Sequence, residues 1–257
     1  MISHYTNQSI KLFVALSSAL LISACSSTDS TPGTEVHAHV THLPPATTVT
    51  ETATPGKQFT NNNGDIIELT SAYLTLSEMD LRTDCSASPF AWLRDAVFEL
   101  LVPVAYAHTE STPTKLGTPL VVNLLNADSE ELEFGHFSPA PGNYCGITVH
   151  MHPADADARN LPTTLSMIGQ VVHVAGSYDD GGGATAFTVD VALEPEHADI
   201  AFPAAIVLSA SNLNDEIHLN IEYNSWFDNI IMSDLAAADP AAITQLLDNI
   251  TASVGHD

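Results

Sequence analysis

Two histidines one residue apart, His150-x-His152, carry the sharpest chemical signal in this chain. They close a run from Tyr144 in which apolar and polar residues alternate in the manner of a strand. Residues i and i+2 of a strand share a face, about 6.6 Å apart along it, so both imidazoles project together while Val149 and Met151 face the other way. Two neutral imidazoles so placed can give two nitrogens to one metal ion, and copper or zinc suits that donor. A third ligand must come from elsewhere, and His136 on the preceding candidate strand and His108 are the supplements. The alternative is a solvated strand face with unpaired histidines.

A second cluster, His37-x-His39-x-x-His42, lies in a stretch rich in Ser, Thr and Pro. Imidazoles this close can wrap one Cu(II), Ni(II) or zinc ion, at the entropic cost of ordering a mobile segment. A polar linker with incidental histidines is the alternative. Of 12 histidines, all but His4 follow residue 24. Asp155-Ala156-Asp157 offers two carboxylates, but no glycine or glutamate completes a calcium loop, so a surface turn is expected. Asp179-Asp180-Gly181 reads as a hairpin turn. The chain has no H-E-x-x-H, G-x-S-x-G or phosphate-binding glycine loop, and the expectation is a protein that is not an enzyme.

The elements that position these residues are mostly strands. Candidates are 65–70, 73–81, 120–125, 132–137, 144–152, 171–178, 186–193, 205–210 and 217–223, separated by Gly and Pro clusters such as Pro139-Ala140-Pro141-Gly142 and Gly181-Gly182-Gly183. Short strands punctuated this way predict an all-β fold, an antiparallel β-sandwich (Ig/transthyretin-like) of about eight or nine strands. Two helices are expected. Ser88-Pro89 starts an inserted one near 89–102, with Phe90, Leu93, Val97 and Leu100 at helical spacing. Asp239-Pro240 starts a C-terminal one near 240–253, with Ile243, Leu246, Leu247 and Ile250 on one side. The broad apolar surface that Trp92 and Phe98 add to the first helix is core or a contact with a membrane or partner.

Residues 12–22 are largely apolar and end in Ile22-Ser23-Ala24-Cys25. The run is too short for a bilayer span and is placed as a cleaved leader would be. It resembles the lipobox of bacterial lipoproteins, which implies a signal peptide over 1–24 and acylation of Cys25 in a lipid bilayer. Ser26 in place of Asp implies the outer membrane, with the domain facing the periplasm. Residues 25–58 then form the lipidated cysteine and a flexible tether, and 59–257 the sandwich. With Cys25 acylated, Cys85 and Cys145 remain, and an oxidising compartment favours a disulfide between them worth about 4 kcal/mol.

Without the leader, five Lys and Arg face 31 Asp and Glu. That balance repels phosphate backbones, so nucleic acid is an unsuitable partner, and it attracts cations. Ser138–Val149, "SPAPGNYCGITV", and the tail Tyr223–Ile230, "YNSWFDNI", resemble β-sandwich lipoproteins of the methanobactin-associated (MbnP-like) periplasmic family. The resemblance spans residues 65–252 as a pattern and implies copper handling. It transfers no metal ligand position by position, because Trp226 sits in a different context. The functional expectation is a lipoprotein that binds copper or zinc for storage, delivery or sensing. The alternative is a non-catalytic interaction lipoprotein beside an outer-membrane protein partner.

Overall fold

Alternation of apolar and polar side chains governs most of the ordered chain, and it yields an all-β architecture. The computed structural model describes residues 33–42, 50–51, 56–83 and 111–256. The leader, Cys25, Cys85, His108 and the helix expected near 89–102 lie outside the described residues. Along the chain the strands are β1 (Glu35–His42), β2 (Thr50–Glu51), β3 (Lys57–Thr60), β4 (Ile66–Leu76), β5 (Glu78–Arg82), β6 (Lys115–Leu116) and β7 (Leu120–Asn123). They continue with β8 (Leu132–Phe137), β9 (Gly142–His150), β10 (Val172–Asp179), β11 (Thr185–Val191), β12 (Ala198–Leu208), β13 (Asn214–Ile221) and β14 (Val254–His256).

These make three sheets, ordered β14-β13-β1-β8, β11-β10-β4-β3-β2 with β7 also on β4, and β12-β9-β5-β6. The strand ladders are antiparallel except that β1 runs parallel to β13. Inward side chains of all three sheets, among them Leu69, Leu74, Ile147, Val149, Ile217 and Leu219, are fully buried in one cluster. Burying each such side chain stabilises the fold by roughly 1.5–3 kcal/mol relative to exposure. The sandwich-like all-β expectation holds.

The turn and helix signals operate as their chemistry requires. Asn61 Oδ1 accepts from the amides of Asn63 and Asp65, and Gly64 takes φ +91° to complete the turn into β4. Asp179 Oδ1 accepts from the amides of Gly181 and Gly183, closing the β10–β11 hairpin. Helix α1 spans Met232–Ala236 and helix α2 spans Pro240–Ser253. Asp239 caps α2 by accepting from the amides of Ala241 and Ala242, and Pro240 sits where its missing N–H costs nothing. Leu246, Leu247 and Ile250 turn into the core. Among the described residues no helix is long and apolar enough to cross a membrane.

One boundary differs from expectation. Residues 35–42, expected in the tether, form β1 between β13 and β8, with Val36, Ala38 and Val40 at 0% exposure. Lys57, also expected in the tether, opens β3 and is buried. Thr34–Asp257 is one compact unit, so the folded region begins well before residue 59. The reason is local: Glu35-Val-His-Ala-His-Val alternates, and Val and Ala fill a sheet interior that needs no larger side chain.

Candidate metal centres on two strand faces

His150 ends β9 opposite Glu78 of β5, and His152 follows, its amide donating to Ser77 Oγ at 3.0 Å. Val149 and Met151 are buried, so the imidazoles share the outward face as their spacing predicts. Their ring centroids are 5.8 Å apart. His197, just before β12, brings a third ring to 5.4 Å from that of His150, because β12 pairs with β9 through Ala198 and Val149.

Acids and bases surround this trio. His150 Nε2 is 3.8 Å from Glu78 Oε1, an oxygen that Lys115 Nζ also contacts. His152 Nδ1 is 3.2 Å from Glu194 Oε1. His197 Nε2 is 3.6 Å from Asp199 Oδ2, and Asp199 in turn pairs with Arg82 at 3.1 Å. Burial pushes the His150 pKa down to about 4, and His197, His152 and Lys115 add to the depression against the pull of Glu78. Near neutral pH that ring is uncharged and keeps a lone pair for a metal ion.

His136 does not supplement this trio. It lies on β8, in the sheet that contains β1, and pairs with His37. His37, His39, His136 and His218 form a row across β8, β1 and β13, with ring centroids 5.8 Å apart for His37–His136, 6.3 Å for His37–His39 and 5.4 Å for His39–His218. Carboxylates line it: Glu35 Oε1 lies 3.5 Å from His37 Nε2, Glu133 Oε1 lies 3.5 Å from His37 Nδ1, and Glu131 and Glu216 each lie 3.4 Å from His218.

A bulge assembles the β8 end of this row. The β1–β8 register shifts between Ala38 and His39, and Gly135 sits there at φ +153°. A Cβ at Gly135 would meet Leu116 Cδ1 at 3.3 Å. The extra residue places Glu133 and His136, three apart, both outward, with Phe134 and Phe137 buried.

His42 separates from His37 and His39. Five residues from His37, it falls on the core face of β1 and is fully buried. Its Nε2 lies 3.1 Å from the carbonyl of Asn126 and 3.8 Å from Asp128 Oδ1, and burial lowers its pKa. Asp128 also takes Lys57 Nζ and the Tyr223 hydroxyl, the latter at 3.1 Å. The grouping of His37, His39 and His42 around one ion is therefore replaced by a surface pair and a core histidine.

Asp157 N donates to Asp155 Oδ1 at 2.9 Å, an ordinary surface turn. Sequence reasoning missed His197, His218, Glu35 and Glu133. Alternation marks His218 as outward between buried Ile217 and Leu219, but nothing local says which strands lie beside it. Among the described residues no group of three or more His, Cys, Asp or Glu side chains already converges to hold a metal ion.

No protein-family model matches this chain, and no curated protein or solved structure matches it. The chemistry of the two faces rests on the residues themselves.

Proposed function

We propose that the chain is an exported, lipid-anchored β-protein that binds a first-row transition-metal ion, copper or zinc, through His150, His152 and His197, for storage, delivery or sensing. The observation that carries this reading is the arrival of His197 beside the His150-x-His152 pair from a separate strand. With His152 Nδ1 on Glu194 and His197 Nε2 near Asp199, the opposite nitrogen of each ring is left for the ion. Carboxylates behind ligating imidazoles fix ring orientation and raise basicity. The depressed His150 pKa keeps protons from competing at neutral pH. The acid excess of the whole chain draws cations toward it. With ring centroids 5.8 and 5.4 Å apart, binding would require side-chain rotation to draw the three rings together.

In this reading acylated Cys25 holds the protein at the outer membrane, facing the periplasm, and Cys85 bonds Cys145. An oxidising compartment favours that pairing of the two remaining cysteines. Mass spectrometry of native material should find the chain starting at an acylated Cys25, and an intact leader would overturn the anchor.

Zinc titration of the untagged chain, followed by histidine ring resonances, tests the metal reading. The rings of His150, His152 and His197 should shift together with one equivalent, and His150→Ala/His152→Ala should weaken binding there by about 100-fold. Unmoved resonances for these three rings would remove it.

A further inference from the structure

The outward face of β1 brings a different donor set side by side. Glu35 and His37 are two apart on β1 and share its outward face, and the register sets His136 of β8 directly across from His37. Glu35 Oε1 lies 3.5 Å from His37 Nε2 and 3.9 Å from His136 Nε2. In a tetrahedral site with metal–ligand bonds of about 2.0–2.1 Å, neighbouring donors stand about 3.3 Å apart. One spacing is already close to that value, and the other is about half an ångström longer.

We propose that His37, His136 and Glu35 form a second transition-metal site, a two-histidine, one-carboxylate set that closes around a divalent ion and shares no residue with the His150 patch. Four features support it. The other nitrogen of His37, Nδ1, faces Glu133 Oε1 at 3.5 Å, where a carboxylate orients a ligating imidazole. Arg159 donates to the carbonyls of Glu133 and Phe134, which holds that part of β8 in place. The ion pairs of Glu35 among the described residues are with His37 and His136, so a cation can take its charge without displacing a lysine or arginine from it. The three side chains are 43%, 36% and 57% exposed for Glu35, His37 and His136, leaving their torsions free to turn inward and the ion a direct route from solvent. Three protein ligands leave a fourth position for water or a small exogenous donor. His39 and His218 continue the row away from this point and are bystanders to it.

The test uses the full untagged chain carrying His150→Ala/His152→Ala/His197→Ala, with zinc as the probe and a chromophoric chelator as competitor. One equivalent should remain in that background. Adding His37→Ala or His136→Ala should weaken it by about 30-fold, Glu35→Gln by about 10-fold and Glu133→Gln by about 3-fold, whereas His39→Ala and His218→Ala should change it by less than about 3-fold. Circular dichroism should be unchanged throughout, because none of the altered side chains belongs to the buried core. No zinc in the triple variant would overturn this site while leaving the His150 patch standing. Equal weakening by the His39 and His218 variants would overturn it in favour of a diffuse imidazole row. Zinc retained by the triple variant to the same stoichiometry as the unaltered chain would support this site and remove the His150 patch.

Discussion

The His150 patch and the outward face of β1 are both made of imidazoles on strand faces, yet the charges around the two sets of rings differ. At the first, two of the three neighbouring acids are already countered, Glu78 by Lys115 and Asp199 by Arg82, while Glu194 faces His152, and His150 is sunk far enough to resist protonation. In the proposed metal reading, neutral nitrogen supplies the affinity there. On β1 the acids Glu35 and Glu133 face histidines, and carboxylate charge adds to the donor set. An all-imidazole trio suits copper as well as zinc, whereas a histidine–carboxylate set suits zinc. Two patches of the same residue type thus acquire different chemistry from their neighbours.

The largest effect separates the two faces of β1 itself. Val40→Asp puts an unpaired charge at a fully buried position and should cost about 4 kcal/mol, while His37→Ala should stay within about 0.5 kcal/mol. Urea unfolding of both variants checks this, and equal stability would return residues 35–42 to the status of a linker.

Acid should distinguish the patches next. The folded-state pKa of His150 is depressed, so between about pH 6.5 and 4 the unfolded chain binds a proton that the folded chain refuses. Stability is full above the unfolded value and falls as pH drops through this window, by about 2 kcal/mol from this residue. His42, lowered mainly by burial, acts in the same direction. In His150→Asn the loss of stability on moving from pH 7 to pH 4.5 should shrink accordingly, and the His150 ring proton should titrate near pH 4. An ordinary imidazole midpoint would erase the contrast.

The smallest effect sharpens the comparison by making one patch resemble the other. Lys115→Met releases Glu78 toward His150, and zinc affinity at that patch should rise about 10-fold, as the ring-resonance titration would register. Unchanged affinity would mean that Glu78 takes no part in attracting the ion.

Much of this was legible in the primary structure because it is local. The asparagine turn before β4, the aspartate hairpin after β10, the Asp239 cap and the apolar side of α2 each depend on residues a few positions apart. The outward pairing of His150 and His152 follows from the pleat alone. Reading 35–42 as tether failed for a local reason too. Its alternation is present in the chain, and side chains as small as Val and Ala suffice to line a sheet interior. By contrast, the neighbours of each histidine were not legible. His136 is 14 residues from His150 in the chain and yet pairs with His37, almost a hundred residues away.

What the chain determines by itself is therefore the face on which each side chain stands: alternation sends His37, His39, His150, His152 and His218 outward and His42 inward. Only the tertiary structure decided which of them meet. Strand order and register join segments far apart in sequence, and the bulge at Gly135 turns Glu133 and His136 to one side against the simple period of the strand.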